Sequence, residues 1–253
     1  MRNGHRARHE IEHGKRLAAS DVETMWGWGT QAGRLRMERR AELIAQGARL
    51  APGLKALEIG CGTGLFTGYF ARSGARLIAM DISPDLLTKA KGRRLPEDKV
   101  HFLVGCFEDF RFDSPAFPTW MDGPFDAVIG SSVLHHLDLG AALDNIRDLL
   151  KLGGRLSFAE PNLLNPQVFI ERHFRRFFPY VSPDETAFIR WPLRTLLKRR
   201  GFDEITIIPF DWLHPATPPS WIPWVEQFGK IIERSPVLRE FSGSLLIRAR
   251  RSR

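Results

Sequence analysis

The chain has 253 residues, 43% hydrophobic and 26% charged; this composition argues against disorder and suits one α/β domain with insertions. Two cysteines, Cys61 and Cys106, form no CxxC pair, which argues against a disulfide framework or a metal site; with no apolar run near the roughly 18 residues of a bilayer span and no secretory leader pattern, a cytoplasmic location is expected. The net charge of +8 comes largely from Arg2, Arg6, Arg8, Lys15 and Arg16, from Arg172, Arg175 and Arg176, and from Arg248, Arg250, Arg251 and Arg253, and is expected to sit on frayed termini and a solvated face, though it would also suit an anionic partner.

Residues 1–50 precede the first strand and contain MWGWGTQAG, with Trp26 and Trp28 around Gly27. Residues 55–60 are a β-prone run that enters a glycine loop, LEIGCGTGLF over residues 57–66. Residues 65–73 place Leu65, Tyr69 and Phe70 near helical spacing and stop at Gly74. RLIAMD, residues 76–81, is a second strand, and Ser83-Pro84 opens a helix with a capping side chain and a proline in its first turn. Residues 100–105 make a third strand; FDAVIG, residues 125–130, makes a fourth after the turn signal Asp122-Gly123-Pro124. Residues 139–152 read as a helix ended by Gly153-Gly154, and residues 155–160 as a fifth strand. This alternation predicts a parallel sheet with helices on both faces.

The glycine loop discriminates between ligands. A dinucleotide fold asks for G-x-G-x-x-G, but Leu65 occupies the place of the third glycine, and no Gly-Lys-Ser/Thr closes a P-loop. The pattern is Glu58-x-Gly60-x-Gly62-x-Gly64, followed by Asp81 at the end of the second strand. A carboxylate there can accept from two ribose hydroxyls. A nucleoside with a free ribose and no phosphate clamp satisfies both observations.

Together with FDAVIGSSVLHHL and LLKLGGRLSFAEP, these residues resemble the class I S-adenosylmethionine-dependent methyltransferases of the small-molecule type, whose glycine motif reads (D/E)xGxGxG. The likeness covers residues 53–160 and continues more loosely through a helix-like stretch at 192–200 and strand-like stretches at 204–209 and 243–248. It implies a Rossmann-like seven-stranded sheet with helices on both faces and the last strand inserted antiparallel, with S-adenosyl-L-methionine as cofactor. It also implies that Gly60, Cys61, Gly62 and Gly64 let the backbone pass close to the cofactor. By the same resemblance, Glu58 stands near its ammonium group, Asp81 holds its ribose, Ile82 packs on its adenine, and Gly130 and Ser131 border its methionyl part. Relatives often have Gly-Asp-Ala after the third strand. This chain has GCFEDF, so Glu108, Asp109 or backbone near Phe107 would read the adenine instead.

A sulfonium methyl group is already activated, so transfer needs in-line approach in a desolvated pocket, and a base only where the acceptor holds its proton. His135 and His136 are the candidates, His136 favoured, against a structural role for LHHL at the start of the next helix. Glu160, at the carboxyl end of the fifth strand, stands where open α/β sheets place ligand groups, or else makes a strand-end hydrogen bond.

Gly130-Ser131-Ser132-Val133 replaces the (N/D)-P-P-(Y/F) of enzymes that methylate base or glutamine nitrogens, which disfavours nucleic acid. Three segments outside the cofactor core would build the acceptor site: residues 1–50 as a helical lid carrying Trp26 over the cofactor, and, within a domain spanning 51–253, the insertions 162–190 and 211–241. Phe169, Phe174, Phe177, Phe178, Tyr180, Trp212, Trp221, Trp224 and Phe228 would roof an apolar pocket if they face inward. Arginines among these aromatics also suit an anionic membrane surface. The expectation is transfer to oxygen of a small or lipid-linked acceptor such as a glycolipid or quinone. The alternatives are an RNA or nucleotide methyltransferase, or a non-catalytic cofactor-binding subunit at a membrane.

Overall fold

In the computed structural model, residues 2–110, 118, 120, 123–178 and 185–252 are described. Asp122 of the expected turn, Tyr180 of the aromatic set and the side chains of Arg2, Arg175 and Arg253 lie outside the described residues.

The apolar runs become five parallel strands: β1 (Lys55–Ile59), β2 (Arg76–Asp81), β3 (Val100–Val104), β4 (Phe125–Ser131) and β5 (Leu150–Pro161). They are completed by β6 (Phe202–Phe210) and β7 (Ser244–Arg251), in the order β3-β2-β1-β4-β5-β7-β6. β7 lies antiparallel between β5 and β6. The strands read as nearly continuous apolar runs because both sheet faces are covered. The helices are α1 (Arg2–Ala18), α2 (Val22–Met25), α3 (Gln31–Ala48), α4 (Leu65–Phe70), α5 (Pro84–Lys91), α6 (Leu139–Leu149), α7 (Pro166–His173), α8 (Arg190–Arg199) and α9 (Ile222–Ile232). On one face Leu57, Ile78, Val128 and Phe158 pack with Ile146 of α6 and Leu197 of α8; on the other, Ala56, Leu77 and Ile129 pack with Ile44 of α3, Phe70 of α4 and Leu87 of α5. The chain direction across the sheet reverses between β1 and β4, and such a switch point opens a crevice at the strands' carboxyl ends.

Two expectations are corrected. Residues 150–154, read as the end of a helix, begin β5: Leu150 is fully buried and pairs with Phe125, and a register shift follows on β4 before Ala127 meets Arg155. The LLKL run satisfies helical and strand spacing equally, and pairing with β4 decides it. The basic C-terminus is not frayed either. Arg248 and Arg250 lie within β7, where Arg248 donates to the Leu43 carbonyl at 3.0 Å and Arg250 Nε pairs with Asp203 at 2.9 Å.

The first 50 residues divide in two. α3 belongs to the layer on the sheet, with Ala41 and Ile44 fully buried, and Arg36 is bonded to Asp211 at 2.6 Å. α1 instead packs on the start of α5: a Cβ at Gly14 would stand 2.6 Å from Ser83 Oγ, the hydroxyl that caps α5, so only glycine admits this contact. Leu17, Val22 and Leu86 form a small core there, with Trp26 against it. No helix among the described residues is long and apolar enough to cross a membrane.

Candidate active site

The cavity at the switch point has a volume of about 380 Å³, within the range of small-molecule sites. Its floor is the glycine loop. Gly60 and Gly62 take φ of +67° and +53°, a region closed to most side chains, and a Cβ on Gly62 would lie 3.2 Å from the Trp26 ring. α2 braces the loop: Thr63 Oγ1 donates to Glu23 Oε1 at 2.8 Å, and Arg93 Nε donates to the Thr63 carbonyl at 2.6 Å.

Asp81 sits at the end of β2, where the Gly62 N–H donates to Oδ2 at 2.7 Å and the Ser83 N–H to Oδ1 at 2.8 Å. Burial pushes its carboxyl above the ordinary carboxylate range, against the pull of those two amides. Each oxygen keeps capacity for one more donor, as a ribose diol requires. At the adjoining corner Phe107 is buried and stacked on Phe110, and the Cys106 thiol donates to Glu108 Oε2 at 3.0 Å, so Cys106, Phe107 and Glu108 border the cavity beyond Ile82.

The opposite wall is a cluster of acids and imidazoles. Glu160, fully buried at the end of β5, accepts from the Val133 and Leu134 N–H groups on Oε1, at 3.0 and 2.9 Å. Its Oε2 lies 2.7 Å from His135 Nδ1. Desolvation opposes its ionisation, but the bond to His135 and the two amides outweigh that and hold Glu160 below the usual carboxylate value. An ionised carboxylate only accepts, so His135 carries its proton on Nδ1 and turns Nε2 outward. Burial and the neighbouring His136 lower the pKa of His135. His136, its ring 4.3 Å from that of His135, places Nδ1 3.3 Å from Glu10 Oε2 of α1. Burial disfavours its charge, but Glu10, Glu185 and Glu160 overcome this and raise its pKa.

Of the residues expected from the sequence, Gly60, Cys61, Gly62, Asp81, Ile82, Phe107, Glu108, Ser131, His135, His136 and Trp26 border this one cavity. Glu58, Gly64, Gly130 and Glu160 stand behind the wall. Glu58 is 2% exposed beneath the loop, with burial pushing its carboxyl up to about 8; Gly64 packs on Ala90, and Gly130 on Val133 and Phe158. Glu160 holds the wall through Val133, Leu134 and His135. The aromatic roof is corrected: Phe169, Phe174, Phe177, Trp221, Trp224 and Phe228 are exposed, Phe178 and Trp212 are half-buried away from the cavity, and the roof is formed by α1 and the Trp26–Trp28 segment.

Sequence reasoning missed Glu10, Arg172 and Glu185 on the cavity wall, and Arg40, which lies behind it. Arg40 is 3% exposed, bonds Ser132 Oγ at 2.9 Å and Ser244 Oγ, and is lowered to about 10 by burial and nearby Arg36. Its only signal was membership in an arginine-rich stretch that reads as solvated.

Comparison with known proteins gives this geometry a family. The profile described as "Methyltransferase domain" matches residues 57–156. An uncharacterized methyltransferase of Synechocystis sp. is 31% identical over 170 residues, 65% of this chain and 74% of that protein. The chain belongs to the S-adenosylmethionine-dependent methyltransferases. The methyltransferase is also 36% identical, over 106 residues, to the ubiquinone biosynthesis O-methyltransferase of Xylella fastidiosa (strain 9a5c), covering 41% of this chain and 40% of that one. It therefore spans less than half the length of this curated relative. Its fold is shared with N-methyltransferase NodS from Bradyrhizobium japonicum, solved with S-adenosyl-L-homocysteine, at TM-score 0.63 and 19% identity over 97% and 100% of the two chains. A Thermotoga maritima protein described as a possible histamine N-methyltransferase superposes at TM-score 0.64, with 18% identity over 95% and 99%.

The methyltransferase's residues fit its cofactor, S-adenosylmethionine: Gly62 leaves room that a Cβ would fill, and Asp81 is buried with hydrogen-bonding capacity to spare. When bound, the cofactor supplies a methyl group activated on sulfonium sulfur. What the chain must do is grip the nucleoside, exclude water and hold an acceptor in line.

Proposed function

We propose that this methyltransferase transfers the methyl group to an oxygen of a small or lipid-linked acceptor, of the quinone or glycolipid kind, seated at the His135–His136 end of the cavity. The carrying observation is that half-buried His136 faces the same cavity as Asp81 and the glycine loop. In this reading Gly60, Gly62 and Asp81 hold the cofactor, Cys106, Phe107 and Glu108 border its adenine, Ser131 its methionyl part, and residues 1–30, with Trp26, close the site against water. Oxygen as the acceptor atom is supported by the name of the Xylella relative. Lipid linkage is supported by the exposed Phe169, Phe174 and Phe177 beside Arg176, a mixture suited to peripheral contact with an anionic membrane from the cytoplasmic side.

Methyl-labelled cofactor should label a polyprenylated catechol in anionic vesicles, and His136→Asn should cut turnover more than tenfold while cofactor affinity holds. Labelling of amines but not hydroxyls, or full activity in His136→Asn, would refute this reading.

A further inference from the structure

His135, His136 and Glu185 do more than line a wall. One ligand atom from each lies within 4.8 Å of the others. His135 Nε2 is 3.8 Å from Glu185 Oε2, and His136 Nε2 is 4.0 Å from Glu185 Oε1. Ligand atoms around a tetrahedral zinc-type ion, each bonded at about 2.0–2.1 Å, stand about 3.3 Å apart, so the two histidine–Glu185 pairs close by about 0.5 and 0.7 Å and the widest pair by at most about 1.5 Å.

The surroundings are those of a metal site. Metal-ligating histidines present one nitrogen to the ion and donate the other N–H to a carboxylate. Here His135 Nδ1 is held by Glu160 at 2.7 Å, and His136 Nδ1 lies 3.3 Å from Glu10. Glu185 is aimed by Arg172 at 2.9 Å, and the next residue is bolted to the cluster, the Thr186 N–H donating to the His135 carbonyl at 3.1 Å. Two imidazoles and one carboxylate on one side of a cavity leave coordination positions open toward it, as catalytic rather than structural zinc sites do.

We propose that His135, His136 and Glu185 bind a borderline divalent transition ion, zinc in type, with its open positions facing the acceptor. Metal binding stands by itself. That the open positions take acceptor oxygens, such as the two of a catechol, rests on the reading above.

The test is cobalt titration of the full chain after chelator treatment, read by visible absorption, with cofactor affinity measured in parallel. One Co²⁺ per chain with tetrahedral-type bands is expected. Glu185→Gln and His136→Asn, checked for native circular dichroism, should each weaken it more than tenfold. Asp81→Asn should bind Co²⁺ as the wild type does while losing cofactor affinity, which separates failure of this site from failure of the cofactor assignment. Absence of Co²⁺ binding by the wild type, undiminished binding by Glu185→Gln, or loss of binding in Asp81→Asn would each overturn the proposal.

Discussion

At the glycine-loop end of the cavity, the polar groups come from two adjacent strand ends, residues 60–62 and 81, and the loop itself is largely backbone. At the histidine end they are side chains from α1, from the loop after β4, from β5 and from the stretch before α8, with Glu10 and Glu185 meeting the same histidine. The first end is built by local chain geometry, which few substitutions besides glycine replacement can disturb. The second is built by long-range pairing of buried charges, where loss of one partner strands the others. The cofactor end should therefore fail by losing affinity, and the histidine end by losing stability.

The largest effect expected is at Glu160. Glu160→Ala leaves two buried N–H groups and the neutral His135 ring without their acceptor, and each buried donor left unsatisfied costs about 1–3 kcal/mol. Chemical denaturation should show a loss of this size, and a loss below about 1 kcal/mol would mean the cluster is not a coupled unit. Next comes Asp81→Ala. Charge-assisted hydrogen bonds are worth about 1.5–3 kcal/mol each, so calorimetry should show cofactor affinity falling more than tenfold, while the Gly62 and Ser83 N–H groups left without their acceptor lower stability by less than in Glu160→Ala. An unchanged affinity would remove the distinction between the two ends.

The effect at Glu58, behind the loop, shows only as pH changes. Its carboxyl is pushed from 4.5 to about 8 by burial and by Asp81, so the folded chain holds this proton where the unfolded chain has lost it. A raised folded-state value stabilises at low pH, and that contribution is lost as pH climbs from about 4.5 to about 8, by at most about 1.4 kcal/mol per pH unit. Glu58→Gln, a neutral isostere, should match the wild type near pH 5 and exceed its stability at pH 9. Parallel stability curves would mean that Glu58 is ionised in the fold.

The same contrast explains what the sequence could reveal. The strand periods, the glycine loop and Asp81 are each specified within a few residues, so their places were readable, as was the LHHL segment. Glu10 and Glu185 carry no local signature; only the docking of α1 on Ser83 and of Thr186 on the His135 backbone brings them to the histidines. The aromatics of 169–178 and 221–228 misled for a related reason. Apolar side chains in insertions imply burial, but nothing local says which side of the insertion faces the cavity, and these face outward. Glu160 was found at the right strand end, yet its backbone partners, Val133 and Leu134, belong to another loop.

A crystal structure with S-adenosylhomocysteine tests the central claim most directly, because it reads both ends of the cavity at once. The account predicts both ribose hydroxyls within hydrogen-bonding distance of Asp81, backbone of residues 60–62 against the methionyl part, and the sulfur directed toward His135 and His136. A ribose away from Asp81, or a sulfur facing away from the histidines, would contradict it.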